Sequence, residues 1–195
     1  MTERFLDPGY LRRGNGRQRA AFAVLDELGI FDCLAAYHPV LVGTIPLAID
    51  VTGSDLDIIC EVYDFDRFAG SLASEYLEMP EFTMQVIREK YDPVAFESSF
   101  HHGGFIVEFF GEPLPISRQR GYRHMVVEAR LLALGGAPLQ SAIIALKRSG
   151  IKTEPAFAHH LGIHGDPYLA LLALEALDDE ALLRLLDDAP ETHGG

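Results

Sequence analysis

The chain is expected to fold as an α+β protein: a mixed sheet with packed helices, then an all-helical C-terminal region. Three observations lead there. Up to about Gly111, short apolar runs with alternating polar residues recur between Gly, Pro and Asp, the period-two signature of strands. A segment of helical spacing, residues 64–78, interrupts those runs. Beyond Ser117 the strand signals stop and apolar residues recur at three and four. Pro113 and Pro115 break the pattern between the two regimes, so a sheet-containing core is expected at 1–115 and a helical domain at 116–195.

Each element follows from local signals. Residues 15–28 place Ala20, Phe22, Val24, Leu25 and Leu28 at helical spacing, with Gly29 as a stop. Residues 31–37 predict a further helical turn, 39–42 a first strand, and 43–53 a loop or short helical segment. Residues 55–63 predict a second strand through L-D-I-I-C-E-V-Y, and Asp64 is an N-cap for the helix that follows. Two strands are expected at 82–90 and 94–102, and His102-Gly103-Gly104-Phe105 predicts a tight hairpin into a strand at 105–110. Ser117 caps a helix at 118–134 that Gly135-Gly136 ends, and a second helix runs 138–149 to Gly150. Thr153 or Glu154 starts a third, with Pro155 in its first turn. Asp166-Pro167 is an N-cap and first-turn pair for 168–177, and Asp178 starts a last helix to 186. The tail, 190–195, is expected to fray.

Composition narrows the function. Of 195 residues 48% are hydrophobic, with 12 Phe and 7 Tyr, enough for a sizeable core. Sixteen basic against 29 acidic side chains leave a net charge of −13. That argues against a large sequence-independent grip on DNA or RNA, which needs a basic surface. Long nucleic acid is therefore disfavoured as a partner. Cys33 and Cys60 lack metal-type spacing and are expected to be buried reduced thiols. The first ten residues lack the apolar stretch of a secretory signal. No uninterrupted apolar run approaches the roughly 20 residues of a membrane span, so a soluble cytoplasmic protein without a membrane partner is expected.

One segment carries chemistry. In V-L-V-G-T-I-P-L-A-I-D-V-T-G-S-D-L-D-I, residues 40–58, an apolar run ends in Gly43-Thr44, and ten residues later Ser54 precedes Asp55-Leu56-Asp57. Two aspartates two apart on a strand share a face. Carboxylates held side by side repel unless a proton or a cation lies between them. A hard divalent ion, held by one or two carboxylates and substrate phosphates, is the usual solution. A glycine turn just before lets backbone approach a phosphate. The pattern points to phosphoryl or nucleotidyl chemistry. Glu108, set among Phe105, Ile106, Val107, Phe109 and Phe110, is a third acid costly to bury alone. It is an edge position, an ion-pair partner or a third metal ligand. Three acids from two adjacent strands would hold two metals about 3.5–4 Å apart.

The G-T…S-D-L-D-I pattern resembles the signature of the polymerase-beta-type nucleotidyltransferase superfamily. That signature is a Gly-Ser or similar pair, a spacer, then acid–apolar–acid–apolar, with a third acid on a later strand. The resemblance covers about residues 17–111. Through L-V-G-T-I-P-L, S-D-L-D-I, Y-R-H-M-V-V-E-A-R, I-K-T-E-P-A-F and G-D-P-Y, the wider chain is also similar to an uncharacterised bacterial family assigned to that superfamily. The resemblance implies the fold, with Gly43 and Thr44 as the phosphate-side pair and Asp55, Asp57 and Glu108 as the catalytic and metal-binding acids; Ser54, next to Asp55, is a further candidate nucleotide contact. The superfamily resemblance further implies Mg²⁺ (or Mn²⁺), a nucleoside triphosphate and an acceptor hydroxyl, and the acidic surface favours a small molecule or protein as that acceptor. Thr44 stands for the commoner Ser, and Glu108 for the commoner Asp. An inactive nucleotide- or partner-binding protein of the same fold is the alternative.

The helical region offers secondary candidates. Arg123 and His124 are read as possible nucleotide contacts, and Lys147 as able to reach a phosphate. Against this stands a solvated helix with an internal His–Glu contact, Arg120, His124 and Glu128 being four apart. His101-His102 and His159-His160 are adjacent pairs whose rings diverge, so neither pair shares a metal readily.

Overall fold

The computed structural model describes residues 2–88 and 94–190. The end of the expected strand at 82–90 and nearly all of the expected frayed tail lie outside the described residues. The chain divides into two compact units. One is built from the residues up to Ala48 and from Thr52–Tyr122; the other from Ile49–Val51 and from Arg123 onward.

The first unit opens with two 3-10 turns, Thr2–Leu6 and Pro8–Arg13, which the sequence reading did not anticipate. Helix α1, Gly16–Glu27, follows behind a capping box in which Asn15 and Gln18 bond each other's backbone. A short α2 covers Ile30–Cys33. Strand β1, Val40–Val42, leads to β2, Leu56–Glu61, and Asp64 caps α3, Phe65–Tyr76, by accepting from the Arg67 amide. Strands β3 (Thr83–Ile87), β4 (Ala95–His102) and β5 (Phe105–Glu112) complete the sheet.

Among the described residues the sheet has five strands in the order β1-β2-β5-β4-β3. The pair β2–β5 is parallel, with Asp57 opposite Glu108, and the other pairs are antiparallel. A parallel neighbour needs a long crossover, and the chain between β2 and β5 supplies one through α3, β3 and β4.

Alternation gives the sheet two unlike faces. Leu41, Leu56, Ile58, Cys60, Phe96, Phe100, Phe105, Val107 and Phe109 point into one core with Ala21, Val24 and Leu25 of α1 and Phe68, Leu72 and Tyr76 of α3. Aromatic rings bind that core: Tyr76 stacks on Phe109 at 5.7 Å, and Phe68 meets Phe96 edge-on at 5.3 Å. Burying Tyr76 also buries its hydroxyl, which donates to the Leu28 carbonyl at 3.1 Å. The opposite face carries the acids. Its central cross-strand row reads Val42, Asp57, Glu108, Ser99 and Thr83.

Gln119 secures the end of the sheet. It is fully buried, and its Nε2 donates to the Cys60 carbonyl at 2.9 Å and the Leu114 carbonyl at 3.0 Å. Its Oε1 is buried without a hydrogen-bond partner. Gln119→Leu is expected to destabilise the chain by about 1–3 kcal/mol, because the buried Cys60 carbonyl and the part-buried Leu114 carbonyl lose their donor. Urea unfolding checks this; an unshifted midpoint would show that other donors satisfy them.

Helix α4, Arg120–Arg148, lies in the second unit from Arg123 on and is broken at Gly136 (φ 60°, ψ −155°), with Pro138 just beyond. Gly135-Gly136 and Pro138 were the expected stop and restart. By length and composition alone α4 could cross a membrane, contrary to the expectation from the uninterrupted runs. The break divides it into two helices, neither as long as the roughly 20 residues a span requires. Helices α5 (Thr153–His160), α6 (Pro167–Ala173) and α7 (Asp179–Asp187) follow. Asp166 and Asp178 cap the last two through their side chains.

One expectation about the cysteines is corrected. Cys60 is buried in β2, but Cys33 is exposed at the end of α2, its Sγ 3.9 Å from Glu75 Oε2. The short α2 ends there, leaving Cys33 outside the apolar cluster.

Candidate functional site

The sheet places the three acids on one face. Asp57 and Glu108 are register partners on adjacent parallel strands. Asp55 immediately precedes β2 and, two residues from Asp57, continues the same side. The strand starts at Leu56 rather than at the expected residue 55, a shift of the size usual for element ends. Burial raises the Asp55 carboxyl above its ordinary range, while His101 and Arg17 pull it back down. Glu108 is raised by burial first, then by repulsion from Asp55 and from Glu97. Glu97 shares the face because β4 pairs with β5 through Ser99 opposite Glu108.

Gly43 follows β1 with φ +79°, the left-handed region that favours glycine. A Cβ at this position would overlap the Asp57 carboxylate. The turn therefore brings bare backbone directly against one of the acids. Thr44 Oγ1 donates to Ser54 Oγ at 3.4 Å, joining the two ends of the expected phosphate side across ten residues.

A divalent ion has suitable donors here. The groups are hard oxygens on one face; burial raises both the Asp55 and Glu108 carboxyls, and repulsion from Asp55 and Glu97 raises Glu108 further. Among the described residues, no group of three or more His, Cys, Asp or Glu side chains is closed tightly enough to hold a metal by itself. Mg²⁺ does not need one, since it takes one or two carboxylates and completes its shell with water and phosphates.

Arg123, His124 and Lys147 belong to the second unit, and each has a partner there. Arg123 Nε lies 3.1 Å from both Glu175 oxygens, and its Nη2 also donates to Oε2. His124 Nε2 is 3.0 Å from the Tyr168 carbonyl, and its Nδ1 is 3.5 Å from Glu154 Oε1. Lys147 Nζ donates to Thr153 Oγ1 at 3.0 Å. The solvated helix face expected at His124 and Glu128 is corrected: both are buried. α5 and α6 bring Glu154 and the Tyr168 carbonyl to that face, so the acid beside His124 comes from α5. A nucleotide role for Arg123, His124 or Lys147 would compete with these contacts.

Sequence reasoning missed Arg17 and Glu97. Arg17 Nη2 donates to the Ser54 carbonyl across 37 positions, which no local pattern reveals. Glu97 was in principle legible, since counting outward from the hairpin pairs Glu97 with Phe110 and Ser99 with Glu108. His101, considered in the sequence only as half of a histidine pair, acts on Asp55.

The five-strand mixed sheet with its packed helices gives the chain a nucleotidyltransferase-like fold. Among solved structures, the chain is similar to one in the "structure of GLD-2/RNP-8 complex", with a TM-score of 0.52 and 12% identity over 95% of this chain and 81% of that one. The chain belongs to the family described as "Domain of unknown function (DUF4269)", whose profile matches residues 23–174. No curated protein matches it in sequence.

Proposed function

We propose that the first unit binds a nucleoside triphosphate with Mg²⁺ (or Mn²⁺) and transfers its nucleoside monophosphate to a hydroxyl of a small molecule or protein. The observation that carries this reading is the row joining Asp57 to Glu108, with Asp55 on the same side and Gly43 pressed against the Asp57 carboxylate. Asp55 and Asp57 hold the metal. The ion supplies charge neutralisation at the phosphates and Lewis acidity. Gly43, Thr44 and Ser54 receive the β- and γ-phosphates, and Glu108 faces the acceptor. The acceptor oxygen bonds to the α-phosphorus, the bond to pyrophosphate breaks, and the acceptor's proton passes to Glu108 or to water. Glu108 suits that part because burial and two neighbouring acids favour its protonated form. The fold supports the reading, while substrate, metal and turnover are the proposal.

Calorimetry with ATP, GTP, CTP and UTP, each with and without Mg²⁺, tests it. Wild type is expected to bind at least one triphosphate in a metal-dependent way, and Asp55→Ala/Asp57→Ala to lose that binding while keeping its fold. Retained binding in the double variant would remove the site. Binding without turnover on any acceptor would favour the inactive binding protein.

A further inference from the structure

Beside Asp55 the first unit opens into a cleft of about 490 Å³, within the roughly 300–1,000 Å³ of small-molecule pockets. Its lining includes Arg17, Ser54, Asp55, His101, His102 and Phe105. The transfer reading uses neither Arg17 nor the two histidines. Arg17 is held on two sides: its Nη2 donates to the Ser54 carbonyl at 3.2 Å, and its Cζ lies 3.6 Å from the centre of the Phe105 ring. One bond to a carbonyl leaves most of a guanidinium's five donors for other acceptors. Arg17 and His101 both act electrostatically on Asp55, so they face the same space. The carboxylates nearest the histidines, Glu81 at 3.6 Å from His101 and Glu27 at 3.2 Å from His102, stand outside the lining. On a chain of net charge −13, Arg17 and the exposed His101 imidazole thus meet in a cleft whose lining carries one carboxylate.

Position indicates what the cleft serves. Gly43 and Thr44 follow β1, on one side of β2, whereas His101, His102 and Phe105 belong to β4 and β5 on the other. Displacement at phosphorus is in line, with the attacking oxygen entering opposite the leaving group. With the leaving pyrophosphate toward β1, the acceptor enters from the hairpin side. We propose that this cleft is the acceptor subsite, and that it takes a small hydroxyl compound bearing an anionic group, phosphate or carboxylate, gripped by Arg17 with His101 as an N–H donor. A planar guanidinium fixed against a ring suits the paired oxygens of either anion. The role as acceptor subsite rests on the transfer reading; the anion grip itself does not.

Four matched probes test the grip on the full chain, without nucleotide or metal: glycerol 3-phosphate, glycerate, glycerol and 3-amino-1,2-propanediol. Binding is read by calorimetry and by the imidazole resonances of His101. At least one of the two anions is expected to bind and shift the His101 ring, and the tighter one identifies phosphate or carboxylate as the group recognised. Arg17→Met is expected to weaken that anion at least tenfold and Arg17→Lys to restore part of the loss. Should Arg17→Met fail to fold by circular dichroism, His101→Gln is read in the same titration, with a several-fold loss expected. Equal or tighter binding of the amine, no binding of either anion, or anion affinity unchanged in the variant read would overturn the proposal. The two readings fail separately. Anion binding through Arg17 without any triphosphate binding keeps the grip and removes the transfer reading. Triphosphate binding without the anion grip does the reverse.

Discussion

Gly43→Ala is expected to cost about 1–2 kcal/mol of stability through its left-handed backbone alone. It is also expected to weaken metal-dependent triphosphate binding roughly 10–100-fold, the range seen when residues that orient metal ligands are changed. The two losses have separate causes. At φ +79° any L side chain is strained. The added methyl also meets the Asp57 carboxylate, and a short side chain on a paired strand can yield only by rotating that carboxylate away. Gly150→Ala separates the terms, because Gly150 has φ +94° with nothing within 4 Å of a new Cβ. Gly150→Ala should lose comparable stability and keep triphosphate binding. Denaturant unfolding and calorimetry on both variants decide the matter. If Gly43→Ala binds as tightly as wild type, the turn does not set the position of Asp57.

The second large effect is a pH-dependent one in the helical unit. Glu128 is 3% exposed. Burial pushes its carboxyl well above the ordinary range, Glu154 adds to the rise, and Lys147 opposes it. His124, on the same helix, contacts Glu154. A carboxyl whose folded pKa exceeds its unfolded value favours folding most below the unfolded value, about 4.3 for Glu. That advantage is lost as pH rises toward the folded value, because the unfolded chain releases its proton first. Glu128→Gln keeps the shape and removes the titration. Its melting temperature is therefore expected to match wild type near pH 4 and to exceed it progressively toward pH 8. Each kcal/mol recovered corresponds to about 2–4 °C for a chain of this size. A variant less stable than wild type at pH 8 would mean that Lys147 holds Glu128 ionised and that the pair stabilises the fold.

Legibility in the sequence followed the range of the interactions. The hairpin at Gly103-Gly104, the cap at Asp64 and the stop at Gly135-Gly136 were readable because glycine and capping chemistry act within a few residues. Asp55 and Asp57 were readable because strand alternation is local. That Glu108 stands opposite Asp57 depends on a parallel pairing that periodicity cannot specify; the resemblance suggested it. Arg17 could not be found at all, because its role exists only after α1 has packed beside Ser54. The buried setting of His124 and Glu128 failed for a related reason. Their polar spacing on α4 looks solvated until α5 and α6 cover it, and buried polar groups that partner one another are indistinguishable in sequence from a wet surface.

The assignment of Ile49–Val51 to the helical unit bears on biogenesis. These three residues leave the ribosome long before α4, and they lie between Gly43-Thr44 and Ser54-Asp55. The helical unit is thus finished only when its latest-made helices gather a strip that was synthesised among the earliest. A fragment beginning at Arg123 would lack that strip, and Ile49, fully covered in the intact chain, would be exposed in a fragment ending at Tyr122. Splitting this chain for piecewise expression therefore needs two cuts and a graft, where a single scission would leave both products incomplete.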